Sequence, residues 1–469
     1  MHHSRSTRTL LALTAVAILA APAMAQENSL VTEVANFYAS DFFVSPNSGN
    51  HEGHFNNNLF ATSSLVTVMT SIASQATTYP IGSSSGGFTY VRNAQGLPVP
   101  ASETYGPVLA ERALTLGKGN LNFGLSVIHA SFDDFQGLSL DGGDLDFVLT
   151  HFDVNSDGDT TIPDFEGDVI DTKVFLDLNR TESVFFFNYG ITDRLDLGIV
   201  LPFVQVNLES TVDVHITRLG TAVDPTGGNQ TTPFHGFQTA FPPPRCTIID
   251  ELNCREFVDS SESGIGDVIL RGKINVYNKN ITALAASLDV RLPTGDEEDL
   301  LGLGATQAAA QFIGSWNLAN DRISPHFNAG YTATFGDYTV TLVTGASTLV
   351  EPPDEANLTV GTDFSITERL TLAADLIGRR FFDAGTAVSV PTVFEFDSDN
   401  TVAGIQLDQV VLPQVNPIVE DIDSYLAAFG AKIHVGKKIL LNASILAPFG
   451  SDDGLQDDLS FFIGIDFNR

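Results

Sequence analysis

Positive charge is scarce in this chain, with 23 lysines and arginines against 57 acids, so the formal net charge is −34. So acidic an exterior repels phosphate and excludes nucleic acid as a partner, while suiting a surface that holds divalent cations. Only 2 cysteines and 1 tryptophan are present. Cys246 and Cys254 lie close together beside Pro242-Pro243-Pro244. In an exported chain such a short-range pair reads as a disulfide that braces a loop, not as a metal site. Long apolar runs are missing too: beyond residue 25 no stretch reaches the 18 or so residues of a helical membrane span. Catalytic spacings are also wanting. There is no Gly-x-Ser-x-Gly or His-Glu-x-x-His, the 10 histidines are scattered, and Gly82-Ser-Ser-Ser-Gly-Gly87 lacks the spacing of a nucleophile elbow. A hydrolase built on a barrel wall needs a Ser-His pair facing lipid, and none is assignable. The chain is not expected to be an enzyme, and no cofactor is required.

What is present begins with an export signal. Arg5 and Arg8 precede an apolar run from Leu10 to Ala21, and Ala23-Met24-Ala25 forms a small-x-small cleavage site before Gln26. Cleavage after Ala25 removes two positive charges and no acid, moving the net charge from −34 to −36. An exported chain whose charged residues make up only 17%, yet which lacks a helical span, has one other route into lipid. In a closed β-barrel alternate residues face the acyl chains, so the apolar signal is spread at period two. The 34 Phe against 10 Tyr and Trp together fit such a wall.

The alternation is explicit. Ile323, Pro325, Phe327, Ala329, Tyr331, Ala333 and Phe335 fall on one face, and Ser324, His326, Asn328, Gly330, Thr332 and Thr334 on the other. The split recurs at Leu284–Leu292, at Leu370–Leu376, at Leu441–Ala447 and in the last strand, where Leu459, Phe461, Ile463, Ile465 and Phe467 share a face. Asn468 and Arg469 follow that final Phe, a departure from the terminal aromatic with which such proteins present themselves to the barrel-assembly machinery. Short tips, several of them basic, separate pairs of runs: 117–120, 190–197, 277–280, 318–322, 365–372 and 436–438. Long acidic linkers fill 134–171, 216–263, 293–306, 337–355, 383–420 and 448–456. Short turns at one end and long loops at the other are the asymmetry of an outer-membrane barrel.

The expected fold is all-β: a transmembrane, antiparallel, up-and-down β-barrel of about 14 strands. The first two strands, 82–93 and 107–116, are the weakest, and 12 remain without them. Residues 1–25 are the signal peptide, 26–80 an N-terminal plug or periplasmic tail, and 81–469 the barrel. Within 26–80, Phe60 to Ala76 carries Leu65, Val68, Met69, Ile72 and Ala76 at helical spacing. The implied location is the bacterial outer membrane, with lipid and lipopolysaccharide as neighbours.

Arg291-Leu-Pro-Thr-Gly-Asp-Glu-Glu-Asp-Leu-Leu-Gly302 resembles a phrase of an outer-membrane, transporter-like family associated with phenol degradation through the meta-cleavage pathway. Gly82-Ser-Ser-Ser-Gly-Gly-Phe-Thr-Tyr90, Glu111-Arg-Ala-Leu-Thr-Leu-Gly-Lys-Gly119 and Gly264-Ile-Gly-Asp-Val-Ile-Leu-Arg271 match as well, so the resemblance runs from about residue 80 to the C-terminus. That family is similar to the fatty-acid and toluene transporters, fourteen-stranded barrels with an N-terminal plug. The resemblance therefore implies passive uptake of hydrophobic or aromatic small molecules. Two other functions remain open: a general water-filled porin, and a structural or adhesive surface barrel with calcium-ordered loops.

Two constellations carry candidate chemistry. Asp153, Asn155, Asp157 and Asp159, with Gly158 and then Asp164, have the spacing of a calcium loop, in which oxygen ligands at positions 1, 3, 5 and 12 surround the ion. The bland alternative is a solvated acidic turn. Asp267, Arg271 and Lys273 on one strand, Asp289 and Arg291 on the next, and Asp375 and Arg379 further on, are set to face the lumen. They form either a charged constriction that selects permeants or a neutralised ladder that braces the interior. For both of the first two strands to point their charges inward, the connecting hairpin must hold an odd number of residues.

Overall fold

The computed structural model describes residues 29–40, 44–45, 58–81, 90–92, 98–100, 104–150, 168–217, 236–237, 246–319, 321–342, 345, 347–396, 408–436, 438–450 and 453–468. Twelve antiparallel strands close into a barrel. They are β1 (Leu121–Phe135), β2 (Val169–Gly190), β3 (Leu195–Thr217), β4 in two segments (Asn253–Ile265 and Val268–Lys279), β5 (Thr282–Leu292) and β6 (Thr306–Trp316). The circuit continues through β7 (Ile323–Phe335), β8 (Asp354–Thr367), β9 (Leu370–Phe396), β10 (Asp408–Val435), β11 (Ile439–Pro448) and β12 (Ser460–Asn468). Each strand pairs with its chain neighbour, and β12 returns to β1, with Phe461 opposite His129 and Phe467 opposite Phe123. Closure leaves no sheet edge in the lipid-spanning zone, which is the condition for a β-structure to live there.

The lower of the two strand counts is the one formed. Residues 107–116 have no place in the wall, and Tyr90–Arg92 pairs with Pro98–Pro100 in a small sheet of its own. The alternation itself is realised. Phe185, Phe187, Phe203, Leu288, Phe312, Phe429, Phe461 and Ile463 stand exposed on the outer face, Ile463 at 67%. So continuous an apolar exterior exceeds what a water-soluble surface carries and matches the lipid-facing band of a membrane barrel. No helix among the described residues is long and apolar enough to cross a membrane.

The parity problem of the β4–β5 hairpin has a compact solution. The turn itself holds two residues, Asn280 and Ile281, with Asn280 in the left-handed region at φ 52°. Between Asn275 and Tyr277 the register shifts by one, because Val276 is an extra residue on β4. Turn plus bulge supply the odd count, so Arg271 lies directly opposite Asp289 and both face inward.

Wall height is uneven. β5, β6, β11 and β12 hold 11, 11, 10 and 9 residues, close to the roughly 9–11 that a tilted strand needs to span. β2 and β3 hold 22 and 23, and β9 and β10 hold 27 and 28. These overshoots, with the first segment of β4, take up the two ends of 216–263 and most of 383–420, expected to be linkers. Beyond the lipid a strand has no reason to alternate: Arg255, Glu256, Asp259, Ser260, Ser261 and Glu262 put polar groups on both faces. Cys246 and Cys254 are disulfide-bonded, with Cα atoms 5.4 Å apart, beside the small pairing of Ile248–Ile249 with β4.

Helix α1 (Leu30–Ser40) packs against α2 (Asn58–Thr77). α2 coincides with the amphipathic run expected over Phe60–Ala76. Leu65, Val66, Val68, Met69, Ile72 and Ala76 are buried, and so are Thr70, Ser71, Ser74 and Gln75. A helix buried on its polar face as well as its apolar one must be enclosed. Its hydroxyls make this tolerable by donating back to its own carbonyls: Thr67 to Ser63 O (2.8 Å), Ser71 to Thr67 O (2.7 Å) and Thr77 to Ser74 O (3.0 Å).

Candidate functional site

The barrel interior is filled at two levels. Near the short-turn end runs an extended strap, residues 104–116, buried along nearly all its length. It forms no ladder with the wall, so its backbone groups need other partners. Inward side chains of the strands supply them. Tyr105 N–H donates to Thr371 Oγ1 (3.0 Å), Glu111 N–H to Asn328 Oδ1 (3.0 Å), Ala113 N–H to Ser315 Oγ (3.0 Å) and Leu116 N–H to Asp196 Oδ2 (2.8 Å). Asn328 Nδ2 and Asn275 Nδ2 return bonds to the carbonyls of Glu111 (3.1 Å) and Ala113 (2.8 Å). One carboxylate dominates: Asp375 Oδ2 accepts the amides of Val108, Leu109 and Ala110 at 3.0, 2.8 and 3.2 Å, while its Oδ1 meets His326 Nε2 at 2.8 Å.

The strap contributes its own charges. Arg112 Nη2 lies 2.5 Å from Asp363 Oδ2, with both groups buried, and Arg112 Nη1 donates to Thr104 O at 3.0 Å. Glu111 bridges two wall cations, reaching Arg271 Nη1 at 2.7 Å and Lys273 Nζ at 3.4 Å. Arg271 also grips Asp289 through Nε (2.8 Å) and Nη2 (2.5 Å) in a forked, two-point pair. His326 sits between Asp375 and Asp363, whose Oδ1 is 3.3 Å from its Nδ1.

At the long-loop end the occupant is α2. Arg291 Nη1 donates to Thr77 O and Arg379 Nη2 to Thr78 O, both at 2.9 Å, so two wall arginines converge on the helix C-terminus. Cations there meet both the unsatisfied carbonyls and the negative end of the helix dipole. Arg379 is itself held by Glu355 through Nε (3.0 Å) and Nη2 (2.8 Å). Tyr79, just past the helix, donates to Asp457 Oδ1 at 2.8 Å.

Asp267 stands apart from the other lumen candidates. It sits at the break in β4, and its Oδ1 accepts the amides of Thr294 and Gly295 (both 3.1 Å) while its Oδ2 accepts that of Leu303 (2.8 Å). A side chain on Gly302 would strike this carboxylate at 2.6 Å, and one on Gly295 would strike the Leu301–Gly302 backbone at 2.7 Å. These contacts give the Gly-Ile-Gly-Asp and Arg-Leu-Pro-Thr-Gly-Asp phrases a common purpose. One ties down the loop that the other forms, and the loop turns inward to bury Leu300, Leu301 and Leu303. There it meets α1, Val31 N–H donating to Glu298 O at 3.0 Å.

That contact is pH-sensitive by construction. Burial, then Asp296, Glu262 and Glu298, push the Asp299 carboxyl up to about 6. A raised acid favours the docked state when protonated. Docking is therefore unpenalised below the ordinary carboxyl pKa of about 4 and weakens as pH rises through about 6. The Val31 amide is expected to lose about tenfold in hydrogen-exchange protection between pH 5 and 7.5, after correction for intrinsic rates and allowing for solvent screening. Asp299→Asn should flatten the profile; a slope unchanged in that variant would assign the effect elsewhere.

Of the seven residues expected to face the lumen, the structure buries Asp267, Lys273, Asp375 and Arg379 and partly buries Arg271, Asp289 and Arg291. It brings Arg271, Lys273 and Asp289 into one network through Glu111, gives Asp375 to the strap, and sends Arg291 and Arg379 to α2. Glu111, Arg112, Asp196, Glu355 and Asp363 were missed as site residues. His326 and Asn328 lie on the polar face that the alternation assigns, which gives neither a role. The candidate calcium ligands Asp153, Asn155, Asp157, Asp159 and Asp164 lie outside the described residues.

A family model described as "Putative MetA-pathway of phenol degradation" matches residues 152–375. The family resemblance is borne out over this stretch, which is narrower than the expected span from about residue 80 to the C-terminus and leaves out the phrases at 82–90 and 111–119. For the phenol-degradation family, the match spans β2 through part of β9 and includes the Asp267-anchored loop. No curated protein sequence matches the chain. Among solved structures, an outer membrane channel from Pseudomonas putida F1 is 12% identical, with 77% of this chain and 99% of that one covered at a TM-score of 0.41. A Pseudomonas aeruginosa FadL homologue is 12% identical over 75% and 89% of the two chains at 0.30. The β domain of the Bordetella autotransporter BrkA, at 10% identity over 75% and 100%, stands at 0.34. Scores this low rank channels and an autotransporter alike, so the functional argument rests on the lumen.

Proposed function

We propose that this chain is a bacterial outer-membrane channel for passive uptake of small hydrophobic molecules, aromatic ones among them. In this reading α1, α2 and the strap act as its plug. The observation that carries the proposal is the double filling of the lumen by the chain's own N-terminal segments. Apart from the bond of the Val31 amide to a loop carbonyl, those segments are held by side-chain contacts and not by the sheet, so they can shift without opening the wall. The family label supports the substrate class. The inward charges are paired with one another, with the strap or with α2, which counts against a broad water-filled pore. Lipid and lipopolysaccharide of the outer membrane would surround the apolar band.

The test compares two readouts of the purified, reconstituted protein and of cells bearing it. Planar bilayers should show near-silence, with no large steady conductance. Cells, whose lipopolysaccharide leaflet retards apolar solutes, should take up radiolabelled toluene or phenol several-fold faster with the protein than without it. Large steady conductance together with sugar-driven vesicle swelling would establish the porin alternative instead.

A further inference from the structure

Basic residues are few in this chain, and they are not spread evenly. Each of the six short turns carries one at its tip or shoulder: Lys118, Arg194, Lys279, Arg322, Arg369 and Lys438, every one of them exposed. These turns lead into β1 and join β2 to β3, β4 to β5, β6 to β7, β8 to β9 and β10 to β11. The bases therefore form a ring around one rim of the barrel. Six of the chain's 23 lysines and arginines stand there, beside only three of its 57 acids, Asp193, Asp321 and Glu368. The excess of negative charge lies on the rest of the molecule. Among the described residues, five of the six bases, Arg322 apart, stand in no ion pair.

The neighbours of these bases fix their depth. Beside each hairpin turn the fold leaves one large apolar side chain uncovered: Ile191, Ile281, Leu318, Ile366 and Val435, from 39% exposed at Leu318 to 54% at Ile366. They carry the outer apolar band down to the turns themselves. In water they would only add apolar surface; in lipid they are buried. Exposed Tyr189 and Tyr277 and the single tryptophan, Trp316, lie close to the same turns, as amphipathic rings do where lipid meets water. A Lys or Arg a few residues from such anchors lays its stem along the acyl chains and its charge among the headgroups.

We propose that this ring is a docking surface for anionic phospholipid headgroups of the leaflet into which the short turns dip, and that it holds the barrel at a fixed depth. Charge complementarity names the headgroup phosphate, and the apolar residues between the bases place it in a lipid and not in a polymer farther out. A base this close to an anionic surface is worth roughly a few-fold in relative affinity, and salt screens it. The inference needs the wall to span lipid and does not depend on what the lumen carries.

Trp316 supplies the readout, because no second tryptophan competes with it. It pairs with Thr282 on β5, between the turns that bear Lys279 and Arg322, and shares the outward face of β6 with exposed Phe312. The full-length protein is reconstituted in phosphatidylcholine vesicles, and quenching of its fluorescence by brominated phosphatidylglycerol is compared with quenching by brominated phosphatidylcholine. The anionic lipid should be preferred about threefold, and the preference should fade in about 0.5 M salt. Lys279→Gln with Arg322→Gln should abolish it, whereas Lys118→Gln with Lys438→Gln, on turns away from Trp316, should leave it unchanged. Equal quenching by the two lipids in the wild type, or a preference that survives loss of Lys279 and Arg322, overturns the proposal. Equal quenching together with retention of the detergent-solubilised protein on peptidoglycan sacculi, lost when all six bases become Gln, would give the ring to the cell wall instead.

Discussion

Removal of residues 26–81 should turn a near-silent protein into a conducting one, raising single-channel conductance by about tenfold or more. The wall does not depend on those residues. All twelve strands start at Leu121 or later, and every strand pairs with its neighbours through its own backbone. The truncated chain should therefore still migrate as a heat-modifiable barrel in detergent gels. What it loses is α2, whose buried Leu65, Val66, Val68, Met69 and Ile72 each contribute roughly 1.5–3 kcal/mol to docking. It also loses the Thr77 and Thr78 carbonyls that engage Arg291 and Arg379. Arg379 stays held by Glu355, so Arg291 is the arginine released at the long-loop end. A folded but still silent truncation would place the occlusion entirely in the strap.

The strap has its own lever. Asp375→Ala withdraws one acceptor from three consecutive amides and from His326 at once. Removing one partner of a buried, hydrogen-bonded charge costs about 3–5 kcal/mol, because the groups left behind are unpaired. Thermal unfolding should shift down accordingly, and the remaining helix plug should become leaky, with flickering conductance where the wild type is quiet. Asp375→Asn keeps one carbonyl acceptor and should fall between the two. An alanine variant with wild-type stability would show that the strap is anchored elsewhere, Arg112 and Asp363 being the next pair to cut.

Much of this wall was legible because lipid imposes period two on any strand that touches it. Ile323–Phe335 and Ser460–Asn468 bury and expose the residues that alternation assigned. The short tips and the Cys246–Cys254 disulfide follow from equally local rules. The tall extensions were hidden because no solvent contrast exists above the membrane to pattern them. The strap was misleading for a different reason. Residues 107–116 are extended, so they resemble a strand, but their amides bond to side chains on four distant strands, and nothing local encodes that. For the same cause Asp375 was legible as an inward charge and not as an anchor. The partners that Arg291, Arg379, Lys273 and Asp375 find in residues 77–116 are far away in sequence, and Glu111 is visible only as part of a family phrase.

The vertical arrangement of the occupants fixes a sequence of events. The helices lie toward the long loops, the strap lies below them near the short turns, and the chain runs from helix to strap to β1. A pulling force on the N-terminus reaches these occupants in chain order, so the strap bears no load until the helices have given way. A force-extension record from that end should show α1 and α2 yielding before the strap, and the strap before the wall.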